Sequence, residues 1–296
     1  MRVDDDVPPG DGPGLGGGMM KPFADLYEGL IQGMSAVKYH GIEAFSSTLG
    51  REIVKSSPRH ARARQHRPQT PAMVLGSAVH AGVLEPRATG VCIAPDVDRR
   101  TTAGKQAYAA FVSQADGIIL TPEQGELYRG MVDAVAESRA ASGLLRICLD
   151  RELSGFTLDP ETLVLVKCRF DAISQVDGII LDIKTTSGLA TRAEFERAIG
   201  GFGYGFQAAL YQWVAARLGV PSPSFVFVVV ETEPPHGVGV FALQQEAIDL
   251  YQPRVREAMQ LYAECMKANA WRSYPDEVQS IGIPAWVRKG LEEVAA

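Results

Sequence analysis

Cysteine is scarce in this sequence, and its placement excludes several classes of site. Only 4 of the 296 residues are cysteines, and no two of them form a C-x-x-C pair. Structural zinc sites, redox motifs and iron–sulfur clusters use closely spaced cysteines, so we expect reduced and mostly buried thiols instead.

Long apolar runs and an excess of basic charge are also lacking. The longest run of large apolar residues, 225–230, is far shorter than the ~20 residues needed to cross a bilayer. The chain does not open with basic residues followed by an apolar stretch, so we expect a cytoplasmic protein with no membrane partner. With 29 basic and 35 acidic residues, the formal net charge is −6, and a nucleic-acid site would have to be a local basic patch.

What the chain has is a Gly- and Pro-rich start followed by a long region of globular composition. Residues 1–20 are predicted to be a disordered tail and residues 21–296 a single domain, helical first over 21–38 and then mostly over 39–141. A capping box at Thr121 starts one of these helices.

Short apolar segments separated by turns dominate the second half of the chain. An antiparallel meander of three strands is predicted over residues 146–153, 163–171 and 178–184. Two further strands, 224–231 and 238–243, alternate with helices over 194–218 and 246–269. The first of these helices is broken by a glycine run of Gly200, Gly201, Gly203 and Gly205. This order predicts an α/β fold with a mixed central sheet flanked by helices, whose catalytic core spans about 146–270.

The most informative motif is Asp182-Ile183-Lys184, at the end of an apolar strand. Side chains alternate along a strand, so Asp182 and Lys184 share one face while Ile183 points into apolar packing. The short link over residues 175–178 should bring Asp171 of the preceding strand beside Asp182. Two adjacent carboxylates repel, and a divalent cation commonly relieves that repulsion. The alternative is that Asp182 and Lys184 form an ion pair at the rim of the sheet.

The order Asp171 … Asp182-Ile183-Lys184 resembles the motif of the PD-(D/E)xK nuclease superfamily. Two other segments resemble its RecB-like exonuclease branch, and several stretches are similar to RecE-type nuclease domains. Residues 76–80 match a Gly-x-x-x-His motif, and residues 207–211 match a Gln-x-x-x-Tyr motif. Phe170 occupies the place where the superfamily name implies proline. The resemblance covers about 39–289 and implies a PD-(D/E)xK nuclease core.

The motif residues suggest a metal-dependent phosphodiester hydrolase. Asp171 and Asp182 would hold Mg²⁺ or Mn²⁺, and the backbone carbonyl of Ile183 could complete the ligand set. The resemblance implies that His80 is a further metal ligand, although a lone histidine on a helix is otherwise more often a core or capping residue. Lys184 would orient the attacking water and stabilise charge on the scissile phosphate.

Three further residues have two interpretations each. Glu152 would help to hold a second metal ion, or it is a solvated strand residue. Gln207 and Tyr211 are four residues apart, so a helix puts them on one face. They would contact DNA near the cleaved phosphate or support Lys184, or else Tyr211 packs the helix with Gln207 at its rim.

A basic run is the candidate DNA-binding surface. It places six basic residues against Glu52 as the one acid, and the alternative is a solvated helix face. The six residues are Arg51, Lys55, Arg59, Arg62, Arg64 and Arg67.

The resemblance implies a Mg²⁺-dependent exonuclease that acts on double-stranded DNA ends. It further implies 5′-to-3′ resection to 3′ overhangs, for recombination through a single-strand annealing protein in a phage setting, and a homo-oligomeric ring of three or four subunits. Two other functions stay open. One is an endonuclease on the same core, which would lack a separate recognition domain. The other is a non-catalytic DNA-binding or assembly protein, which would not need adjacent buried acids.

Overall fold

A computed structural model describes residues 28–64, 68–86, 90–220, 223–288 and 291. The predicted tail, 1–20, and the basic residue Arg67 lie outside the described residues. The strands are β1 (Gly29–Ile31), β2 (Val91–Ile93), β3 (Ile118–Leu120), β4 (Asp150–Leu158), β5 (Leu165–Ser174), β6 (Ile179–Thr186), β7 (Ser224–Glu231) and β8 (Val238–Ala242). The helices are α1 (Ala36–Gly41), α2 (Ser47–Lys55), α3 (Pro58–Arg64), α4 (Pro71–Leu84), α5 (Thr102–Gln114), α6 (Pro122–Glu137), α7 (Arg139–Ile147), α8 (Arg192–Phe202), α9 (Tyr204–Arg217), α10 (Gln245–Asp249) and α11 (Gln252–Ala268).

The central sheet is mixed, as the sequence predicts. Its strand order is β1-β4-β5-β6-β7-β8, and β4, β5 and β6 form the predicted antiparallel meander. Strands β6 and β7 run parallel, because α8 and α9 carry the chain back between them. Strands β2 and β3 form a separate parallel pair within the region predicted to be mostly helical.

Helices cover both faces of this sheet, and the alternation along β7 shows why. Phe225, Phe227 and Val229 belong to one buried cluster with α2, α9 and α11. The residues between them belong to a second cluster with α4, α6 and α7. A strand buried on both faces has an almost continuous apolar sequence, and the run 225–230 fits that rule.

Two local predictions are wrong in physically informative ways. The strand predicted from residue 146 starts only at Asp150, because Ser138 caps α7 and the helix packs Leu144 and Leu145 against the second cluster. The helix predicted over 21–38 does not include residues 29–31, since these form β1 and pair with β4 at the edge of the sheet, and residues 21–27 lie outside the described residues. Among the described residues, no helix combines the length and apolarity needed to cross a bilayer.

The meander brings three carboxylates onto neighbouring strands. Arg151 lies opposite Ala172 and Leu153 lies opposite Phe170, so Glu152 and Asp171 occupy facing positions on β4 and β5. Ala172 in turn lies opposite Leu181, which puts Asp171 level with Asp182 on β6. The fold therefore places Glu152, Asp171 and Asp182 in a row across the sheet.

A buried carboxylate ties the β4–β5 turn to α11 and gives a stability prediction. Asp159 accepts hydrogen bonds from the backbone N–H and hydroxyl of Thr162, at 2.9 and 2.6 Å, and from Arg256 Nη1 at 2.8 Å. Burial raises the pKa of Asp159, but these donors outweigh it and hold the pKa below its usual range. We expect Asp159→Asn to lower the free energy of unfolding at pH 7 by about 2 kcal/mol.

The pH dependence of that loss has a definite sign. A carboxyl whose pKa is lower in the folded chain stabilises the fold above its unfolded pKa, and the contribution fades as pH falls through the folded value. Urea unfolding of the wild type and Asp159→Asn at several pH values measures this. The gap between them should be widest near neutral pH and close below pH 3.8, the ordinary value of the group. A gap that does not change with pH would show that the carboxylate charge contributes nothing.

Candidate active site

A cleft of about 1790 Å³ opens at the row of carboxylates. Its walls include the loop and helix residues around Ser35 and Ser46, the α4 residues Gly76 and His80, and the ends of the central strands. Glu152, Asp171 and Lys184 also line this cleft. Chemistry at these side chains is therefore accessible to a large ligand.

His80, Glu152 and Asp171 form one group of candidate metal ligands. One ligand atom from each lies within 4.8 Å of the others. His80 Nδ1 is 3.3 Å from Asp171 Oδ2, and the same oxygen accepts the backbone N–H of Ile183 at 2.8 Å. The backbone of Glu152 has φ of +49°, a left-handed conformation that costs energy for a residue other than glycine. Strain held at this position fits a functional role for the Glu152 side chain.

The pKa shifts in this group reflect burial and close charges. Burial and the nearby Asp171 carboxylate raise the pKa of Glu152 despite Arg169. Burial also raises the pKa of Asp171, but His80, Lys184 and the Ile183 N–H more than compensate, and its pKa is lowered. Burial lowers the pKa of His80, yet Asp171 reverses that effect and the pKa is raised. Two carboxylates so close together therefore need a positive charge between or beside them.

Asp182 and Lys184 form a second group on the side of α9. Asp182 is 2% exposed, and its Oδ1 accepts a hydrogen bond of 2.6 Å from Gln207 Nε2. Its Oδ2 contacts Lys184 Nζ as an ion pair, without a hydrogen bond of normal geometry to any described residue. Burial raises the pKa of Asp182 even with Lys184 beside it. The ion pair expected as an alternative is thus present, but it lies at a cleft beside further acids.

The two groups differ from the predicted ligand set in one respect. The sequence predicts that Asp171 and Asp182 share a metal ion, whereas the described structure turns Asp182 towards Lys184 and Gln207 and groups Asp171 with His80 and Glu152. The carbonyl of Ile183 stays a predicted ligand, and its side chain is buried in the second cluster.

The two residues of the Gln-x-x-x-Tyr motif have different contacts: Gln207 lies against the Asp182–Lys184 pair, and Tyr211 packs against aromatic rings of the core. Gln207 supports the Asp182–Lys184 pair, because its amide donates to Asp182. Tyr211 is buried, and its ring packs edge-on against Phe170 and Phe225 at centroid distances of 5.6 and 6.1 Å. Tyr211 therefore packs α9 onto the sheet, and it also lines the floor of the cleft, so its contact with DNA stays a prediction.

Three of the basic residues proposed to bind DNA make contacts within the protein itself. Arg64 pairs with Glu52 and lines the cleft. Arg51 donates to the carbonyl of Phe202 at 2.9 Å, and Arg62 lies over the ring of Trp271 at 4.7 Å. The side chains of Lys55 and Arg59 are exposed. DNA contact by this run stays a prediction.

Two residues of the site escaped the sequence analysis. Arg169 Nε donates to Glu152 Oε2 at 2.5 Å and so positions that carboxylate. Tyr204 places its ring 5.0 Å from Lys184 Nζ, a distance at which a cation is attracted to an aromatic face. Arg169 stands two residues before Asp171 on β5, and because side chains alternate along a strand, this spacing indicates that both lie on the same face. Tyr204 gave no signal beyond its place between Gly203 and Gly205 of the glycine run.

The donor atoms fit a hard divalent cation. The first group offers two carboxylates and one imidazole, and Asp182 Oδ2 is a further buried oxygen without a regular hydrogen bond. The 3.3 Å between His80 Nδ1 and Asp171 Oδ2 is close to the spacing of about 3 Å between neighbouring ligands of a small octahedral ion. Oxygen-rich sets of this kind suit Mg²⁺ or Mn²⁺.

Comparisons with known proteins agree with this architecture. A crystal structure from Eubacterium rectale, described as a "putative exonuclease", superposes with a TM-score of 0.51 at 10% identity, covering 83% of this chain and 96% of that one. At that identity the likeness shows the fold alone. A crystal structure of a protein named SSO0001 covers 66% of this chain and 87% of its own, but its TM-score of 0.29 at 12% identity carries no argument. No curated protein matches the sequence.

The family match extends over most of the chain and includes both groups of candidate site residues. Residues 46–282 match the family described as "PDDEXK-like domain of unknown function (DUF3799)". The letters PDDEXK denote Pro-Asp followed by Asp or Glu, any residue and Lys; this chain has Asp171 and Asp182-Ile183-Lys184 in that order, with Phe170 in the place of the proline. The chain therefore belongs to this PDDEXK-like family.

Proposed function

We propose that this protein is a Mg²⁺-dependent exonuclease that degrades double-stranded DNA from its ends. Membership of a PDDEXK-like family supports nuclease chemistry as the general class. The observation that carries the proposal is that His80, Glu152, Asp171 and Lys184 line one cleft, and that the buried Asp182 pairs with this lysine. A binding module has no need of buried acids held beside a lysine in this way.

Each residue has a role that follows from its contacts. His80, Glu152 and Asp171 would hold the metal ion, with Asp182 beside them. When bound, such an ion activates water and neutralises charge on the phosphate. Lys184, held by Asp182 and Tyr204, presents a fixed positive charge to the scissile phosphate and orients the attacking water. Gln207 keeps Asp182 in place, so the lysine does not swing away.

The finer features of the proposal rest on the resemblance to RecE-type nucleases. They are 5′-to-3′ polarity, 3′ overhangs delivered to a single-strand annealing protein, a ring of three or four subunits and a cytoplasmic location. The description of the Eubacterium rectale protein agrees with an end-dependent activity. A duplex that is threaded through a ring would bring successive terminal nucleotides to one site.

The test compares linear with covalently closed circular duplex DNA, in Mg²⁺ and in Mn²⁺. We expect nucleotide release from linear DNA and no cutting of the circle, because the activity should require an end. Label at the 5′ end should appear early as a small product if the polarity is 5′-to-3′. Cutting of the circle would support the endonuclease alternative. Binding without cleavage of either form, in both metals, would support a non-catalytic role.

A further inference from the structure

An aromatic side chain stands exposed at the edge of the proposed active site. Phe202, the last residue of α8, is 66% exposed and lines the same cleft as Lys184 and Asp171. A single exposed apolar residue is ordinary on protein surfaces and carries no meaning by itself. The residues around Phe202, however, indicate a role for its ring.

Phe202 begins a series of rings that leads to the lysine. Its ring is stacked on Tyr204, with centroids 5.6 Å apart and an angle of 29° between planes. Tyr204 is stacked on Phe195 in the same manner, at 5.8 Å and 25°. The Tyr204 ring also lies 5.0 Å from Lys184 Nζ. A flat group placed on Phe202 would therefore extend a stack whose second ring, Tyr204, lies beside the charge proposed to contact the scissile phosphate.

The backbone holds this ring in place and leaves its outer side open. Arg51 donates to the Phe202 carbonyl, and its side chain packs against Gly203, whose φ of +69° is the left-handed conformation that ends α8. A β-carbon at Gly200 or Gly201 would meet no described atom within 4 Å apart from neighbouring residues and the backbone of α8 itself. Gly200 and Gly201 thus leave open space beside a ring whose backbone is hydrogen bonded.

We propose that Phe202 is a stacking platform for a nucleobase at the DNA end, adjacent to the phosphate that Lys184 contacts. The inference rests on the proposed function and deepens it. Bases stack on aromatic rings whatever their sequence, which suits an enzyme that removes nucleotides in succession. The ligand is an unpaired or frayed terminal nucleotide, because a base inside an intact duplex does not present its face.

The experiment measures end binding in a background that does not cleave. The full chain carrying Lys184→Ala is mixed with Mg²⁺ and duplex DNA that has 2-aminopurine either at the 5′ terminal position or far inside the duplex. Phe202→Ala, Phe202→Leu and Phe202→Trp are added separately, and Leu189→Ala is the matched control because Leu189 is 61% exposed and is not among the residues that line the cleft.

We expect Phe202→Ala to weaken end binding about tenfold and to abolish the fluorescence change of the terminal 2-aminopurine. Phe202→Leu should behave like alanine, since it keeps an apolar side chain but no ring, whereas Phe202→Trp should restore both signals. Leu189→Ala should match the parent, and the internal probe should not respond in any variant. In the cleaving protein, Phe202→Ala should raise KM more than it lowers kcat.

Two outcomes would overturn the inference, and they differ from each other. If the wild type cleaves DNA ends and Phe202→Ala retains both the terminal signal and the affinity, the platform is wrong and the nuclease proposal stands. If the wild type neither binds nor cleaves DNA, both proposals fail together.

Discussion

Replacing Lys184 with alanine should reduce nucleotide release from linear duplex DNA by about a hundredfold or more, while folding and DNA binding persist. Loss of one group that stabilises transition-state charge costs about that much in well-studied enzymes. The Asp182 carboxylate keeps its hydrogen bond from Gln207 in this variant, so the site should stay assembled. Initial rates on end-labelled DNA, with binding measured in parallel, give both quantities.

Replacing a lysine outside the cleft shows whether the loss of one positive charge is by itself enough to reduce cleavage. Lys267 is exposed at the end of α11 and does not belong to the residues that line the cleft, so Lys267→Ala should cleave at the wild-type rate. Lys184→Arg should recover little activity, since the larger planar group does not fit between Asp182 and Tyr204 as an ammonium does. Near-normal cleavage by Lys184→Ala would remove this residue from the mechanism.

Replacing Asp171 with asparagine should strongly weaken metal binding by the group of His80, Glu152 and Asp171, and it should reduce cleavage with it. Asparagine keeps the shape of the side chain and an acceptor for the Ile183 N–H. It removes the negative charge with which Asp171, beside His80 and Glu152, would bind a cation. We expect the affinity for Mn²⁺ to fall at least tenfold and cleavage to fall about a thousandfold. Isothermal titration with Mn²⁺ measures the first effect directly.

Thermal unfolding provides a second measurement that does not depend on DNA. A ligand that binds the folded chain raises its melting temperature, so Mn²⁺ should stabilise the wild type and leave Asp171→Asn unchanged. Asp116→Asn, an exposed change outside the residues that line the cleft, should respond like the wild type. Equal metal binding by Asp171→Asn and the wild type would place the ion elsewhere.

Much of the sheet could be predicted because its strands are short, apolar and separated by recognisable turns. The prediction for β7 coincides with Ser224–Glu231, and the meander of β4, β5 and β6 is confirmed. The failures occur where tertiary pairing decides the structure. Strand β1 has three residues and exists through its pairing with β4, which local sequence does not reveal.

The site was predictable to the extent that it depends on strand register. The length of the turn after β5 was enough to bring Asp171 level with Asp182. The contacts of each carboxylate depend on helices that are distant from it in sequence. Helix α4 contributes His80, and α9 contributes Gln207 and Tyr204. The positive φ of Glu152 and the contact between Tyr204 and Lys184 have no local sequence signal.

The most direct test of the account is a metal titration of nuclease activity. Nucleotide release from linear duplex DNA is followed as Mg²⁺ or Mn²⁺ is added to the wild type, Lys184→Ala and Asp171→Asn. We expect the wild type to release nucleotides once metal is added. Lys184→Ala should bind metal without release, and Asp171→Asn should bind metal far more weakly and release almost nothing. Release that needs no metal, or that persists in both variants, would contradict the account.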